Sequence, residues 1–175
     1  MRKLKTLELE RISEDEFKSA PKHQIILFLD NIRSMHNVGS AFRTADAFLC
    51  DKLILGGITA LPPHREIHKT ALGAENTVNW EHAPDCIQKV KELKKEGYSI
   101  LSVEQAEGST SLEKFALKKD EKVCLIFGNE VFGVDDELIK LSDKCLEIPQ
   151  FGTKHSLNIS VSLGIVTWEV VKNMI

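Results

Sequence analysis

Three stretches of the sequence combine residue types that could do chemistry. The first, Asn31 to Thr44, reads NIRSMHNVGSAFRT. Asn37 is suited to capping a helix, Gly39 permits close backbone approach, and Arg43 follows about one turn into the helix. A guanidinium on a rigid helix is a preorganised clamp for an anion. The second stretch, GNEVFGVDDEL, starts at Gly128 directly after an apolar run. Its two glycines, Gly128 and Gly133, allow a tight turn whose backbone can touch a ligand, with the carboxylate of Glu130 beside it. The third, Ile148 to Ser160, reads IPQFGTKHSLNIS. Here Ser156 or Asn158 can cap a following helix, whose free amide groups suit a polar or anionic group.

Several other chemistries are disfavoured. No Lys-Ser or Lys-Thr follows the glycines as in a Walker loop, and no G-x-G-x-x-G supports a dinucleotide site. His64 and His68 stand four apart with Glu66 between them. This is not the H-E-x-x-H order of a metalloprotease, so no metal is expected. No G-x-S-x-G elbow is present. Cys50, Cys86, Cys124 and Cys145 include no C-x-x-C pair and are expected to be free thiols, Cys124 and Cys145 packing as small core residues.

The elements that must position these stretches follow from periodicity. Strands are expected at Gln24–Leu29, Lys52–Leu55, Thr77–Trp80, Tyr98–Val103, Glu121–Phe127 and Lys144–Ile148. Helices are expected at Val38–Leu49, Asp85–Glu96, Val134–Leu141 and Asn158–Ile175, with a short one starting near Ser13. Alternating strands and helices predict an α/β domain with a mostly parallel sheet. Gly56–Asn76 is read as the longest irregular stretch, a length usually tied to function. The final helix carries two apolar stripes, Ile159, Leu163, Val166, Val170 and Met174, and Val161, Ile165, Trp168, Val171 and Ile175. A helix apolar over that much of its circumference is expected to lie between its own sheet and a second subunit.

The chain's 175 residues fit one domain with a real core. No apolar run approaches the length of a membrane span and the N-terminus lacks a signal-peptide core, so a cytoplasmic protein is expected. The net charge of −3 disfavours a dedicated nucleic-acid coat protein, though Arg33, Arg43, Arg65, Lys69 and Lys154 could line one basic face.

In their order along the chain, NVGSAFRTADAF, LIFGNEVFGV and IPQFGTKHSLNISVSLGI resemble the three motifs of the SpoU (TrmH-like) RNA ribose 2′-O-methyltransferases of the SPOUT superfamily. KTALGAE (Lys69–Glu75) and VEQ (Val103–Gln105) resemble stretches between those motifs. The resemblance covers Gln24 to the end, and implies a short extension over residues 1–22 and a methyltransferase domain over 23–175. It implies a deep trefoil knot in the C-terminal third of the α/β fold and a homodimer joined through the knot region and the last helix. S-adenosylmethionine is implied as cofactor, held by Val103, Glu104 and Gln105, by Phe127, Gly128, Asn129 and Gly133, and by Ile148 and Leu157. By motif, Arg43 matches the catalytic arginine, Asn37 its supporting asparagine, Glu130 the glutamate of the second motif, and Ser156 and Asn158 the polar pair of the third. The implied substrate is a ribose 2′-hydroxyl of tRNA or rRNA. The competing reading is a knotted dimeric module that binds cofactor or RNA without turnover. Arginine is a poor base at its ordinary pKa, so Arg43 could either remove the hydroxyl proton or stabilise the forming alkoxide. The chain departs from the family pattern in its short N-terminal segment, in ending at Ile175, and in Gln150, where methionine is common.

Overall fold

The computed structural model describes residues 1–118, 121–172 and 174–175. Among the described residues a single sheet of seven strands forms the centre: β1 (His23–Asp30), β2 (Cys50–Gly56), β3 (Trp80–Ala83), β4 (Ser99–Val103), β5 (Thr110–Ser111), β6 (Val123–Phe127) and β7 (Lys144–Glu147). Their spatial order is β3-β2-β1-β6-β4-β7-β5, and every pairing between them is parallel. The helices are α1 (Glu14–Ser19), α2 (Met35–Ala47), α3 (Arg65–Ala71), α4 (Cys86–Lys95), α5 (Asp136–Leu141) and α6 (Ile159–Val171).

Parallel strands covered on both faces read as unbroken apolar runs. That is why Ile25 to Leu29 and Val123 to Phe127 are buried at every position. Alternate residues serve two cores. Ile25, Leu27, Leu29, Leu125 and Phe127 pack with α2, α3, α6 and Phe17 of α1. Ile26, Phe28, Cys124 and Ile126 pack with Val90 and Leu93 of α4 and Leu138 of α5. No helix among the described residues is long and apolar enough to cross a membrane.

The structure corrects the sequence reading in five places. The strand expected at Thr77–Trp80 begins only at Trp80, because residues 74–77 turn as a 3-10 helix and its C-cap. The stretch Gly56–Asn76 is not irregular: it contains α3, capped by the His64 ring, which accepts from the Glu66 amide at 3.1 Å. A short edge strand, β5, makes the sheet seven-stranded where six were expected. Helix α2 is capped by Ser34 rather than Asn37 and stops before Leu49, which takes a left-handed conformation with φ 48°. Helix α6 ends at Val171, and Asn173, which the sequence also placed in it, lies outside the described residues.

The two stripes of α6 have different fates. Ile159, Leu163, Val166 and Val170 are buried against the chain's own sheet. Of the second stripe, Val171 is also buried, whereas Val161, Ile165 and Trp168 remain 47%, 39% and 48% exposed.

Candidate active site

Strand order brings the three stretches together. Leu29 of β1 pairs with Phe127 of β6, Val103 of β4 pairs with the same Phe127, and Val103 pairs with Leu146 of β7. The segments following β1, β6, β4 and β7 therefore leave the same edge of the sheet side by side. Open α/β sheets bind ligands beyond the carboxyl ends of their strands, near where the strand order reverses, here between β1 and β6.

A cavity of about 760 Å³, a size suited to a cofactor, lies beyond the carboxyl ends of β4, β6 and β7. All nine residues expected to hold the cofactor line it: Val103, Glu104 and Gln105 after β4, Phe127, Gly128, Asn129 and Gly133 after β6, and Ile148 and Leu157 after β7. Glu130, Ser156 and Asn158 line it as well.

The turn after β6 is closed by paired backbone bonds between Asn129 and Gly133, both 2.9 Å. Gly133 has φ 72°, and a β-carbon on it would meet the Glu104 carboxylate. A β-carbon on Gly128 would land on the backbone of Gly133 and Val134. Both positions thus need glycine for the turn itself, before any ligand is considered. Glu104 fastens the turn from the cavity side, its Oε2 accepting from the Val134 amide at 3.1 Å.

Glu130 fastens it to the first stretch. Its carboxylate accepts from the amides of Arg33 (3.0 Å) and Ser34 (2.9 Å) and from the Asn37 side chain (2.9 Å). Burial pushes its pKa up, but these three donors outweigh that and hold it below the ordinary carboxylate range. Asn37 in turn accepts a long bond from Asn158 (3.4 Å), whose Oδ1 caps α6 by accepting from the Ser160 amide (2.9 Å). One polar chain, Glu130–Asn37–Asn158, therefore joins all three stretches. At the far side of the turn, the buried Asp30 accepts from the Asp135 amide at 2.9 Å, and burial raises its pKa.

The family comparison agrees with this geometry. The model of the SpoU rRNA Methylase family matches residues 24–168. The chain belongs to that family. Among curated relatives, it is 30% identical over 151 residues to a tRNA (guanosine(18)-2′-O)-methyltransferase of Aquifex aeolicus, with 83% of this chain and 67% of that protein covered. It is 30% identical over 156 residues to a 23S rRNA (guanosine-2′-O-)-methyltransferase of Neisseria meningitidis, covering 89% of this chain and 61% of that one. Among solved structures, an AdoMet-bound rRNA methyltransferase from Sinorhizobium meliloti superposes with a TM-score of 0.81 at 26% identity, covering 94% of this chain and 62% of that one. This SpoU chain thus spans about two thirds or less of these proteins.

Two members of the expected SpoU site, Asn37 and Arg43, do not line the cavity. Asn37 reaches it only through its bonds to Glu130 and Asn158, and Arg43 has no such link among the described residues. Arg43 is exposed and lines a second cavity of about 940 Å³ with Ser40, Thr44, Ser160 and the N-terminal segment from Glu10 to Phe17. Asn158, Ile159 and Ser162 border the first cavity and Ser160 the second, so the first turn of α6 separates the two. Gly39 does permit a close approach, but to α3: a β-carbon would meet Thr70 and the backbone of Ile67 and Ala71. Of the other basic residues, Arg65 and Lys69 sit on α3, where Lys69 pairs with Glu66 at 2.7 Å. His68 pairs with Glu75, and no cluster able to hold a metal occurs among the described residues.

Two contributors escaped the sequence reading. The Glu104 side chain was not assigned its bond to the turn, which only pairing of β4 with β6 reveals. Asn31 takes a left-handed conformation (φ 55°), its carbonyl accepting from the Asn129 side chain (2.7 Å) and its Oδ1 from the Ile58 amide (3.1 Å). An asparagine directly after a strand, a residue type that tolerates this conformation, was the available signal.

Proposed function

We propose that the chain is an S-adenosylmethionine-dependent methyltransferase acting on a ribose 2′-hydroxyl of tRNA or rRNA. The observation that carries this reading is one cavity lined by all nine expected cofactor residues, from the chain after β4 and from the second and third stretches, with the first stretch tied to them through Asn37, Glu130 and Asn158. Residues 23–175 would be the methyltransferase domain and 1–22 an extension whose Phe17 docks in the core. Work on RNA substrates and four free thiols fit a cytoplasmic setting.

The donor set fits the cofactor. The Gly128 and Gly133 backbone lines the cavity, while Val103, Phe127, Ile148 and Leu157 supply apolar walls for an adenosyl group. When bound, the cofactor supplies a methyl group activated by its sulfonium. The protein's part is to place the ribose oxygen in line with that methyl and to steady the charge the oxygen gains as its proton leaves. Arg43, exposed and without a hydrogen-bond or ion-pair partner among the described residues, is available to hold the phosphate and the developing oxyanion. Glu130 cannot take the proton while its carboxylate is engaged by three donors. It positions the Gly128 turn and α2 instead.

We place a homodimer interface on α6 and the adjoining loops. Val161, Ile165 and Trp168 leave an apolar face open, and residues 150–158 are exposed throughout in the single chain. A trefoil knot fits the path from β7 to α6. That segment returns past the chain following β4, where Gln105 donates to the His155 carbonyl at 2.6 Å. Replacing Ile165 and Trp168 by glutamate should yield folded monomers in sedimentation, and an unchanged dimer mass would count against this interface. Val166 and Val170, by contrast, are core positions, and charges there should unfold the chain. A binding module without turnover is disfavoured because Arg43 and the whole polar chain are in place.

The decisive experiment is incubation with isotopically labelled S-adenosylmethionine and separate pools of tRNA and rRNA, followed by nucleoside mass spectrometry. Label in a 2′-O-methylribose is the expected result. Saturable cofactor binding with no labelled RNA would favour the binding module, and label on a base would overturn the ribose assignment.

A further inference from the structure

The tip of the turn after β6 has a feature that holding a cofactor does not require. Val131 and Phe132 project from it, with Phe132 85% exposed and without an aromatic partner among the described residues. An exposed aromatic on a loose loop would mean little. This one is held. The Asn129 side chain accepts from the amides of both Val131 (2.9 Å) and Phe132 (3.1 Å), and the Asn129–Gly133 backbone pair closes the turn beneath them. Asn129 is itself anchored on Asn31 (2.7 Å), whose side chain also holds Ile58, another exposed apolar residue, through its amide. Two asparagines thus fix an apolar tip that points outward.

We infer that Phe132 is a stacking platform for an unpaired nucleobase of the RNA at or beside the acceptor nucleotide. This rests on the methyl-transfer reading above. Phe132 and Val131 border the cavity assigned to the cofactor, so the tip stands at the place an acceptor must pass. A reacting oxygen has to come within about 3–3.5 Å of the methyl carbon, which brings its own base or the next one to the cavity mouth. RNA is commonly recognised by bases splayed out of a loop and stacked on aromatic side chains. A chain of net charge −3 gains little from general attraction to phosphate, so stacking has more to contribute. Prior fixing of the backbone that carries the ring lowers the entropic cost of ordering the tip on binding.

The test uses the full chain with saturating S-adenosylmethionine and a short fluorescent single-stranded oligoribonucleotide, compared with an oligomer of the same length whose nucleotides are abasic. Phe132→Ala should weaken binding of the base-bearing oligomer roughly tenfold and that of the abasic one hardly at all. Phe132→Leu should resemble the alanine variant, since it keeps apolar area without a π face, and Phe132→Trp should bind like the parent. The inference is overturned if alanine leaves binding unchanged, if both oligomers weaken equally, or if leucine suffices. It is also overturned if the loss tracks a fall in dimer mass, which would make the tip an interface between copies. A loss of cofactor affinity by calorimetry large enough to explain the RNA defect overturns it too. A parent chain that binds cofactor but no RNA removes the platform and leaves the cofactor assignment standing. A parent chain that binds neither removes the proposed function itself.

Discussion

In the turn from Gly128 to Val134, polar groups are tied from three directions: to the first stretch through Glu130, to β4 through Glu104, and to Asn31 through Asn129. Arg43 sits on a helix just as firmly packed, yet its side chain reaches into solvent and has no hydrogen-bond or ion-pair partner among the described residues. The two regions belong to one proposed reaction and are built in opposite ways. A cofactor cradle must exist before its ligand arrives, so its cost of ordering is met during folding. A group that must close on a polymer is useful only if its donors are still free. Substitutions should therefore harm the turn through structure and Arg43 through rate.

The largest effect should come from Gly128→Val. The new β-carbon meets backbone rather than a yielding side chain, so the turn itself must shift. Overpacking of this kind costs about 1–3 kcal/mol, and the whole cavity wall moves with it. A lowered thermal midpoint together with lost cofactor binding by calorimetry is expected. A variant with the parent's midpoint and affinity would break the contrast at its rigid end.

Arg43→Ala should show the opposite pattern. As an exposed residue its loss should change stability by no more than about 0.5 kcal/mol. If it steadies the developing oxyanion, single-turnover methyl transfer at saturating RNA and cofactor should slow by roughly a hundredfold or more. Arg43→Lys should rescue poorly, because a point charge does not reproduce the planar fork. A parent rate with only a raised RNA requirement would make Arg43 a phosphate contact and remove it from the chemical step.

How legible this contrast was in the sequence differs between its two halves. The buried strands declared themselves, because Ile25–Leu29 of β1 and Val123–Phe127 of β6 are apolar and buried at every position, and the cavity followed once the second and third stretches were placed after β6 and β7 beside the chain after β4. Helix α3 did not, because its seven residues hold only Ile67 and Ala71 as buried positions, too few to show a period. The separation of Arg43 from the cavity was equally hidden, since it depends on where the first turn of α6 packs against α2. The two parts of α6 show the same limit. Its all-round apolar character was plain, but which stripe faces the sheet is decided by packing, and Val171 fell on the buried side. Glu130 was legible as a carboxylate beside the turn, while its engagement with Arg33 and Ser34 spans almost a hundred residues and is visible only in three dimensions.

Glu130→Gln should give the smallest effect and separates the two halves of the comparison most finely. Glutamine keeps the size of the side chain but replaces one acceptor oxygen with an NH₂ group that faces backbone donors. Losing charge-assisted bonds at a partly solvated site should cost on the order of 1 kcal/mol. The pH dependence supplies a sharper mark. The folded carboxylate titrates below its ordinary value despite the opposing effect of burial, because the Arg33 and Ser34 amides and Asn37 favour its charged form. Its stabilisation is therefore complete above the ordinary glutamate range and is lost as pH falls through the depressed folded value. Melting curves of the parent and the variant should differ by a constant amount near neutrality and converge in acid. Near neutral pH Glu130 stays ionised, so the shape of the methyl-transfer pH profile should be the same in both proteins even where the variant's rate is lower. If the glutamine variant instead removes a titration from that profile, Glu130 takes part in proton transfer and does not act only by positioning the turn.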